Sequence, residues 1–581
     1  MEKRLLLVFA LTFLVILVFQ PLLKKYLPQP SEPASQKEAP AQSPPPAQAA
    51  NSASAQSQAS APARVESKQA SSESETVVES DLYRVTFNNR GGEVKSWVLK
   101  KYDDDTGKPL DLVNQAAAAK YGYPLSLWAY DETLRDKLNS VLYVASASGT
   151  QTAPAQLTFE YSDADTSVRK VFRFDNSYVV TVETSVQNKG SLVSALPMWP
   201  AGFGDQLTPA AYAASRVEYH NDESTEHSYL IFPKQTERLT VKQVSGGHTV
   251  LGPLNWAGPV DQYFGAVFIP DDPRNAATVL LRNSLQIPKD WQKPNPNDTT
   301  AVDVLGAAVG DLRGRTSERI FVGPKALPVV ESVPVASAVG PSDLRELVNF
   351  GTFGIIARPL FLWLHWTYAH VVHNWGWAIV IQTLIITIAL LPLRISSMKS
   401  ALKMQKIQPQ MNAIKEKYKK YSMRDPRKQD MNQEIAALMK KEGVSPAGGC
   451  LPLIIQMPFI FAYYSMLGAS LDLRHAHWLW ISDLSSRDPY FLLPIALVLS
   501  MIVTQRMTPA TGMDPAQQKM MNLMMPLMMG FIFFNLAAGL NLYYAESNLI
   551  GIVQQLVMSR TGLGREMREI AEKRARKKDK K

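Results

Sequence analysis

The chain has 581 residues, 46% of them hydrophobic and 19% charged, with a net charge of +9 and a mean hydropathy of −0.11. Its one cysteine, Cys450, excludes an intramolecular disulfide, and no C-x-x-C or H-E-x-x-H spacing offers a metal site. The basic excess lacks aromatic interleaving or a binding motif, which argues against recognition of a specific nucleic-acid sequence.

Leu5–Leu23 is apolar apart from Thr12, Gln20 and Pro21, about 28 Å of helix and enough to span a membrane. No small-x-small cleavage site closes it, so residues 1–27 are predicted to be an uncleaved anchor with the N-terminus inside. Residues 28–76 are rich in Pro, Ala, Ser and Gln and predict a disordered linker. Such a coil reaches roughly 40 Å, which predicts a domain beyond it that is decoupled from the rest.

From 77 to 335 the apolar pattern has period two, as in DLYRVTF (81–87), SVRKVFRFD (167–175), YVVTVETSV (178–186), RLTVKQV (238–244) and QYFGAVFI (262–269). Turn residues separate these runs, and the pattern predicts an all-β sandwich, mostly antiparallel. Asn88-Asn89-Arg90-Gly91-Gly92 is one such turn, its glycines serving backbone geometry rather than phosphate binding. No catalytic triad, carboxylate pair or metal cluster can be picked out, so neither enzymatic activity nor a cofactor is expected.

Residues 341–373 place Leu344, Leu347, Val348, Ile355 and Ile356 at near-helical spacing and end among Trp363, Trp366, Trp375 and Trp377. An amphipathic helix lying in the membrane interface accounts for both features. The segment 374–558 then offers five spans, at 375–393, 450–469, 490–506, 520–538 and 540–558. The loop 394–447 carries thirteen basic against five acidic residues, and the tail 559–581 ten against four. By the positive-inside rule both lie in the cytoplasm, so six transmembrane helices with both termini inside fit charge and hydropathy together. The basic runs serve topology alone or also bind a partner. Within the loop, Ile407, Met411, Ile414, Tyr418 and Tyr421 form a heptad seam that breaks at Asp425-Pro426 and resumes at Met431, Ile435 and Leu438, predicting a helical hairpin.

Polar residues inside the spans are the candidate site, because each is expensive in lipid unless it faces a cavity or a partner. Thr383, Thr387 and Arg394 fall within about 40° of one helix face, and Asn541, Tyr544 and Asn548 share a face of the last span. Gln456 sits in the third span. Taken by themselves, such residues are better explained by ordinary interhelical hydrogen bonding. Glu546 is the one acidic residue placed within a span, about 200° from Tyr544 and without an assignable partner.

Several stretches resemble the YidC/Oxa/Alb family of membrane-protein insertases, in the Gram-negative form with a large periplasmic domain. They are Asn374-Trp375-Gly376-Trp377, Pro392-Leu393, the run from Gly448 through Cys450 and Gln456 to Pro458, Asp514-Pro515-Ala516-Gln517-Gln518-Lys519, Leu542-Tyr543-Tyr544 and Ser547-Asn548-Leu549. The resemblance covers nearly the whole order of elements. It implies a bacterial inner-membrane protein with a five-helix insertase core that inserts and folds membrane proteins without nucleotide hydrolysis. The implied partners are nascent membrane proteins, the Sec translocon, the ribosome and membrane lipids. It further implies a hydrophilic groove open to cytoplasm and lipid, here lined by Thr383, Thr387, Arg394, Gln456, Tyr544 and Asn548. The apolar part of a substrate would slide along the third and fifth spans, at Ile460, Met524, Met525 and Met528. One departure stands out: the family's second span carries an arginine where this chain has Thr387. A secondary transporter is the alternative, but it predicts inverted repeats and a midplane ion site, and the sequence has no internal repeat.

Overall fold

The computed structural model describes residues 67–222, 235–337, 340–421, 425–443, 451–507, 515–562 and 565. The predicted anchor, residues 28–66 of the linker, the segment 444–450 before the third span and the tail from 566 onward lie outside them. The last ten residues assigned to the linker already belong to the β-domain. Lys68 exchanges backbone hydrogen bonds with Ser162, and a strand starts at Glu75.

Three main sheets build the domain. The largest runs through Phe264–Pro270, Arg315–Pro324, Val179–Asn188, Thr166–Phe174 and Ala155–Ser162, all antiparallel. Alternation explains its register: along Val179–Asn188, Val180, Val182, Thr184 and Val186 are buried while their neighbours are less so. A one-residue slip would turn that row out of the core. A second sheet centres on Tyr83–Asn88 and Glu93–Asp103, and its strand Glu75–Glu79 pairs in parallel with the edge strand Gly149–Thr152. The third is dominated by a long hairpin, Ala276–Pro288 with Thr299–Asp311. Between the first two sheets Phe87 packs on Phe159, Phe172 and Phe174, with ring centroids 4.9–5.9 Å apart.

The Gly91-Gly92 turn has a structural task. Both glycines have positive φ, 70° and 54°, and a Cβ on Gly91 would come within 2.8 Å of the Asn139 carbonyl oxygen. In that conformation their carbonyls accept hydrogen bonds from the Lys170 ammonium at 2.7 and 3.2 Å, and Leu125 supplies a third acceptor at 2.9 Å. Lys170 is fully buried, so this cage replaces the water it gave up.

Glu318, on the strand Arg315–Pro324, is also fully buried, and neither carboxylate oxygen has a hydrogen-bond partner among the described residues. Burial first, then the nearby Asp271, pushes its carboxyl well above the ordinary 4.5. The folded state thus keeps a proton that the unfolded chain releases above about pH 4.5. Stability contributed by this residue therefore falls as pH rises from there toward the folded pKa, by up to about 1.4 kcal/mol per pH unit. Glu318→Gln is expected to flatten the decline of Tm between about pH 5 and 7, measured on the full chain in detergent. An unchanged pH slope would show that the carboxyl is ionised in the fold.

The helical part follows. We label its helices α1 (Gly354–His370), α2 (Trp375–Ala389), α3 (Leu391–Lys417), α4 (Arg427–Lys441), α5 (Leu451–Ala469), α6 (Leu492–Met507), α7 (Pro515–Phe533) and α8 (Ala538–Ser559). Where one amphipathic helix was predicted over 341–373, a short 3-10 turn, Leu344–Leu347, precedes α1, and Gly351 at φ 67° breaks the chain between them. The predicted span 375–393 ends at Ala389, and α3 begins directly with Pro392 in its first turn. Proline fits there because no first-turn N–H needs an intrahelical acceptor. α3 and α4 form a hairpin, with Ile407 and Met411 buried against Ile435 and Leu438.

Among the described residues, no helix is long and apolar enough to cross a membrane. The reasons differ. α2 and α6 have only 15 and 16 residues, against about 20 for the hydrocarbon core. The 22-residue α8 is long enough but carries Asn541, Glu546, Asn548, Gln554 and Gln555.

The β-domain is not decoupled from the helices; it is docked on them. Arg474, between α5 and α6, donates to the Asp103 carbonyl at 2.9 Å, and its guanidinium lies over Phe264 at 5.6 Å. His475 pairs with Asp105 at 3.1 Å, and Arg358 of α1 with Glu331 at 2.7 Å. One continuous apolar core runs from Phe87 through Leu347, Leu360 and Ala378 to Tyr543.

Candidate functional site

Asn374 starts α2 by accepting a hydrogen bond from the Trp377 N–H, while its amide donates to the His477 carbonyl at 2.9 Å. This cap pins the helix to the loop between α5 and α6. Gly376 makes the approach possible, since a Cβ there would lie 2.1 Å from the Trp478 ring.

Six residues beyond Gly376 is Gln382, fully buried. Its amide donates to the Leu360 carbonyl of α1 at 2.9 Å, and its side-chain oxygen accepts from the Tyr463 hydroxyl of α5, also at 2.9 Å. The Tyr463 ring stacks on Tyr543 of α8, with centroids 3.9 Å apart and planes 16° apart. One glutamine thereby ties four helices together. Thr383 and Thr387 are buried beside it, but their hydroxyls donate to the carbonyls of Ile379 and Thr383 in their own helix, both at 2.7 Å. Across the α2–α8 contact the Glu546 carboxyl faces Thr383, and its Oε2 is buried without a hydrogen-bond partner among the described residues.

The structure brings together only part of the predicted groove set. Thr383 and Thr387 face α8 at Glu546 and Gln554, the latter donating weakly to the Thr387 carbonyl at 3.5 Å. Tyr544 turns instead toward Phe533 of α7, edge to face at 4.8 Å. Asn541, on the face shared with Tyr544, closes the turn between α7 and α8 by donating to the Phe533 and Leu536 carbonyls. Asn548 is half-buried on α8. Arg394 lies in the first turns of α3 and Gln456 in the first half of α5, but their side chains are outside the described residues. Of the predicted slide, Ile460 is half-buried on α5, whereas Met524, Met525 and Met528 are exposed on α7, together with Leu527, Phe531 and Ile532. Gln382 and Tyr463 were missed; a lone glutamine in the middle of an apolar run was the signal that marks them.

Two family models match this architecture: "YidC periplasmic domain" over residues 75–363 and "60Kd inner membrane protein" over 366–565. They define the class, an inner-membrane protein with a helical core and a periplasmic β-sandwich domain. A membrane protein insertase YidC of Geobacter metallireducens is 33% identical over 501 residues, covering 84% of this chain and 86% of the relative. That of Syntrophus aciditrophicus is 31% identical over 583 residues, covering 96% and 100%. Among solved structures the chain is similar to an active YidC insertase with its first transmembrane domain resolved, at 19% identity over 85% of this chain and 95% of that one, with a TM-score of 0.34. The chain belongs to the YidC family of membrane protein insertases. The transporter alternative has no support among these relatives.

Proposed function

We propose that the chain inserts membrane-protein segments at the boundary between the Gln382–Glu546 polar hub and the exposed apolar face of α7. Six spans, both termini in the cytoplasm and the β-domain in the periplasm are part of this reading. They are supported by the basic loop 394–447 and tail 559–581, which need the same side. The short helices then match a core that thins the apolar path rather than one that fills it. α1 fits the outer interface: Ala357, Leu360, Phe361 and Leu364 are buried, while Ile355, Leu362 and Trp366 stay exposed on its other side.

The carrying observation is a helical core that holds buried polar side chains on α2, α5 and α8 and presents an exposed methionine-rich face on α7. A polar tail loses its water partners in hydrocarbon at several kcal/mol per unsatisfied group, and hydroxyl, amide and carboxyl groups within the core lower that barrier. Flexible, polarizable methionines adapt to many apolar sequences, as a slide for varied substrates requires. Thr383, Thr387, Arg394, Gln456, Tyr544 and Asn548 remain the proposed groove residues, with Gln382 and Glu546 added. Ribosomes and the Sec translocon are proposed partners, the former through the basic hairpin and tail.

Photocrosslinking in reconstituted vesicles tests this reading, with a stalled single-span substrate bearing a short polar outer tail. Crosslinkers at Ile460 and Met528 are expected to capture the apolar segment, and one at Thr383 the tail. Ile379, one turn toward the closed outer end and as buried as Thr383, should crosslink weakly because the polar tail does not reach that depth. Equal capture at 379 and 383 would defeat the groove assignment.

A further inference from the structure

Between the β-domain and the adjoining ends of α5 and α8 lies a cavity of about 480 Å³, within the range of small-ligand sites. Its walls differ in chemistry. The β-domain contributes Arg216, Glu218, Asp261 and Lys325, two acids and two bases. The helical side contributes Leu467, Leu536 and Leu540. Its lining also includes Tyr464 and Asn535, both exposed, which mark a mouth to the outside. From Asn535 the exposed Phe531 and Leu527 follow at steps of four along α7, so an apolar track leads away from it.

The charges on the polar wall are incompletely served by the protein. Glu218 is buried, and its Oε2 sits 3.5 Å from the Arg238 Nε with no hydrogen bond. Asp261 receives the backbone N–H groups of Tyr263 and Phe264 on one oxygen, while its carboxyl also shares a proton with that of the buried Asp205, whose own acidity burial and Asp261 together weaken. Lys325 donates to the Asp261 carbonyl at 2.9 Å, and Arg216 to that of Ala214 at 2.7 Å. Burial pushes the Glu218 carboxyl up and the Lys325 ammonium down. Buried charges of both signs with spare bonding capacity are costly unless a ligand completes them.

We propose that this cavity binds the headgroup of an amine-bearing zwitterionic diacyl phospholipid. The phosphodiester lies against Arg216 and Lys325, the ammonium against Glu218, and the acyl chains leave past Tyr464 and Asn535 along Phe531 and Leu527. An anionic headgroup without an amine brings Glu218 no hydrogen-bonding cation, and a simple cation brings Arg216 and Lys325 no anion; the zwitterion supplies both. The site rests on the orientation proposed above, which places this end of the helices at the outer leaflet. Binding itself does not depend on orientation, so the two readings fail separately.

The test is native mass spectrometry of the delipidated full chain in detergent, titrated in parallel with phosphatidylethanolamine, phosphatidylglycerol and soluble glycerophosphoethanolamine. One equivalent of phosphatidylethanolamine is expected to bind at least about tenfold more tightly than either of the others. Arg216→Gln and Glu218→Gln should each remove most of that preference. Gly468→Leu is the second route: an added Cβ there meets nothing within 4 Å, so the fold tolerates it while the side chain competes for the cavity, and binding should fall with all charges intact. Equal affinity for the two lipids, or full binding in all three variants, would overturn the site. Binding of the soluble headgroup as tightly as the lipid would overturn its assignment to a membrane ligand.

Discussion

Lys170→Met is expected to destabilise the β-domain by about 3–5 kcal/mol, the penalty for breaking a buried charged network from one side. The substitution nearly preserves volume and adds no steric conflict, so the loss reports on the ammonium. Three carbonyls, those of Gly91, Gly92 and Leu125, lose their donor together. The buried Glu93 loses the cation that opposes its desolvation. At about 2–4 °C per kcal/mol for a domain of this size, Tm should fall by roughly 6–20 °C. Differential scanning fluorimetry on the full chain, supported by hydrogen exchange across residues 88–92, measures it. A loss below about 1 kcal/mol would mean that the glycine turn holds itself without the lysine cage.

That cage shows why the sequence was legible in some places and not in others. The turn at 88–92 announces itself by composition, and strands such as Val179–Asn188 by alternation, because both signals are local. The hairpin Ala276–Pro288 with Thr299–Asp311 is buried on both faces over Ala276–Leu281, so the alternation that marks a half-exposed strand is absent. Lys170 reads as an ordinary surface lysine until the chain some 79 residues earlier folds over it. The docking of the β-domain is hidden for the same reason, since Arg474 and Asp103 are 371 residues apart. A long tether suggests freedom, but a tether constrains one end of a domain and says nothing of what its surface fits.

In the helical core, face arithmetic held for Thr383 and Thr387 but does not extend to Arg394, which falls in α3 beyond the end of α2, and it was incomplete for α8. Thr383 and Thr387 do share a buried face. On α8, however, Tyr543 takes the position against Tyr463 that fixes the helix's rotation. Glu546, three residues on, is thereby carried toward α2, and Tyr544 is turned to Phe533. Periodicity gives relative angles on one helix. Which face meets which neighbour is decided by packing between helices, and here by one aromatic stack and one glutamine.

This placement gives the family departure at Thr387 a definite expectation. Thr387→Val should lower insertion only modestly, because the lost hydroxyl is spent largely on the Thr383 carbonyl, which keeps its helical N–H donor. Thr387→Arg should also be tolerated. Position 387 lies one helical turn, about 5.4 Å, from Thr383, and the Glu546 carboxyl there has an unpartnered oxygen within reach of a long guanidinium. Removing that acid changes the outcome. In Thr387→Arg with Glu546→Leu the arginine is left in the core without its counter-charge, whereas Glu546→Leu alone removes one polar group of the hub and leaves no charge unpaired. The double variant is therefore expected to lose more than the two single variants combined, by a coupling of about 1–3 kcal/mol, or roughly 5- to 150-fold in insertion rate. Insertion of a small single-span substrate into proteoliposomes, scored by protease protection at equal insertase abundance, supplies the four rates of the cycle. Additive effects would show that position 387 and Glu546 do not share a site, and the polar hub would then reduce to Gln382 and Tyr463, a fastening between helices with no part in handling the substrate.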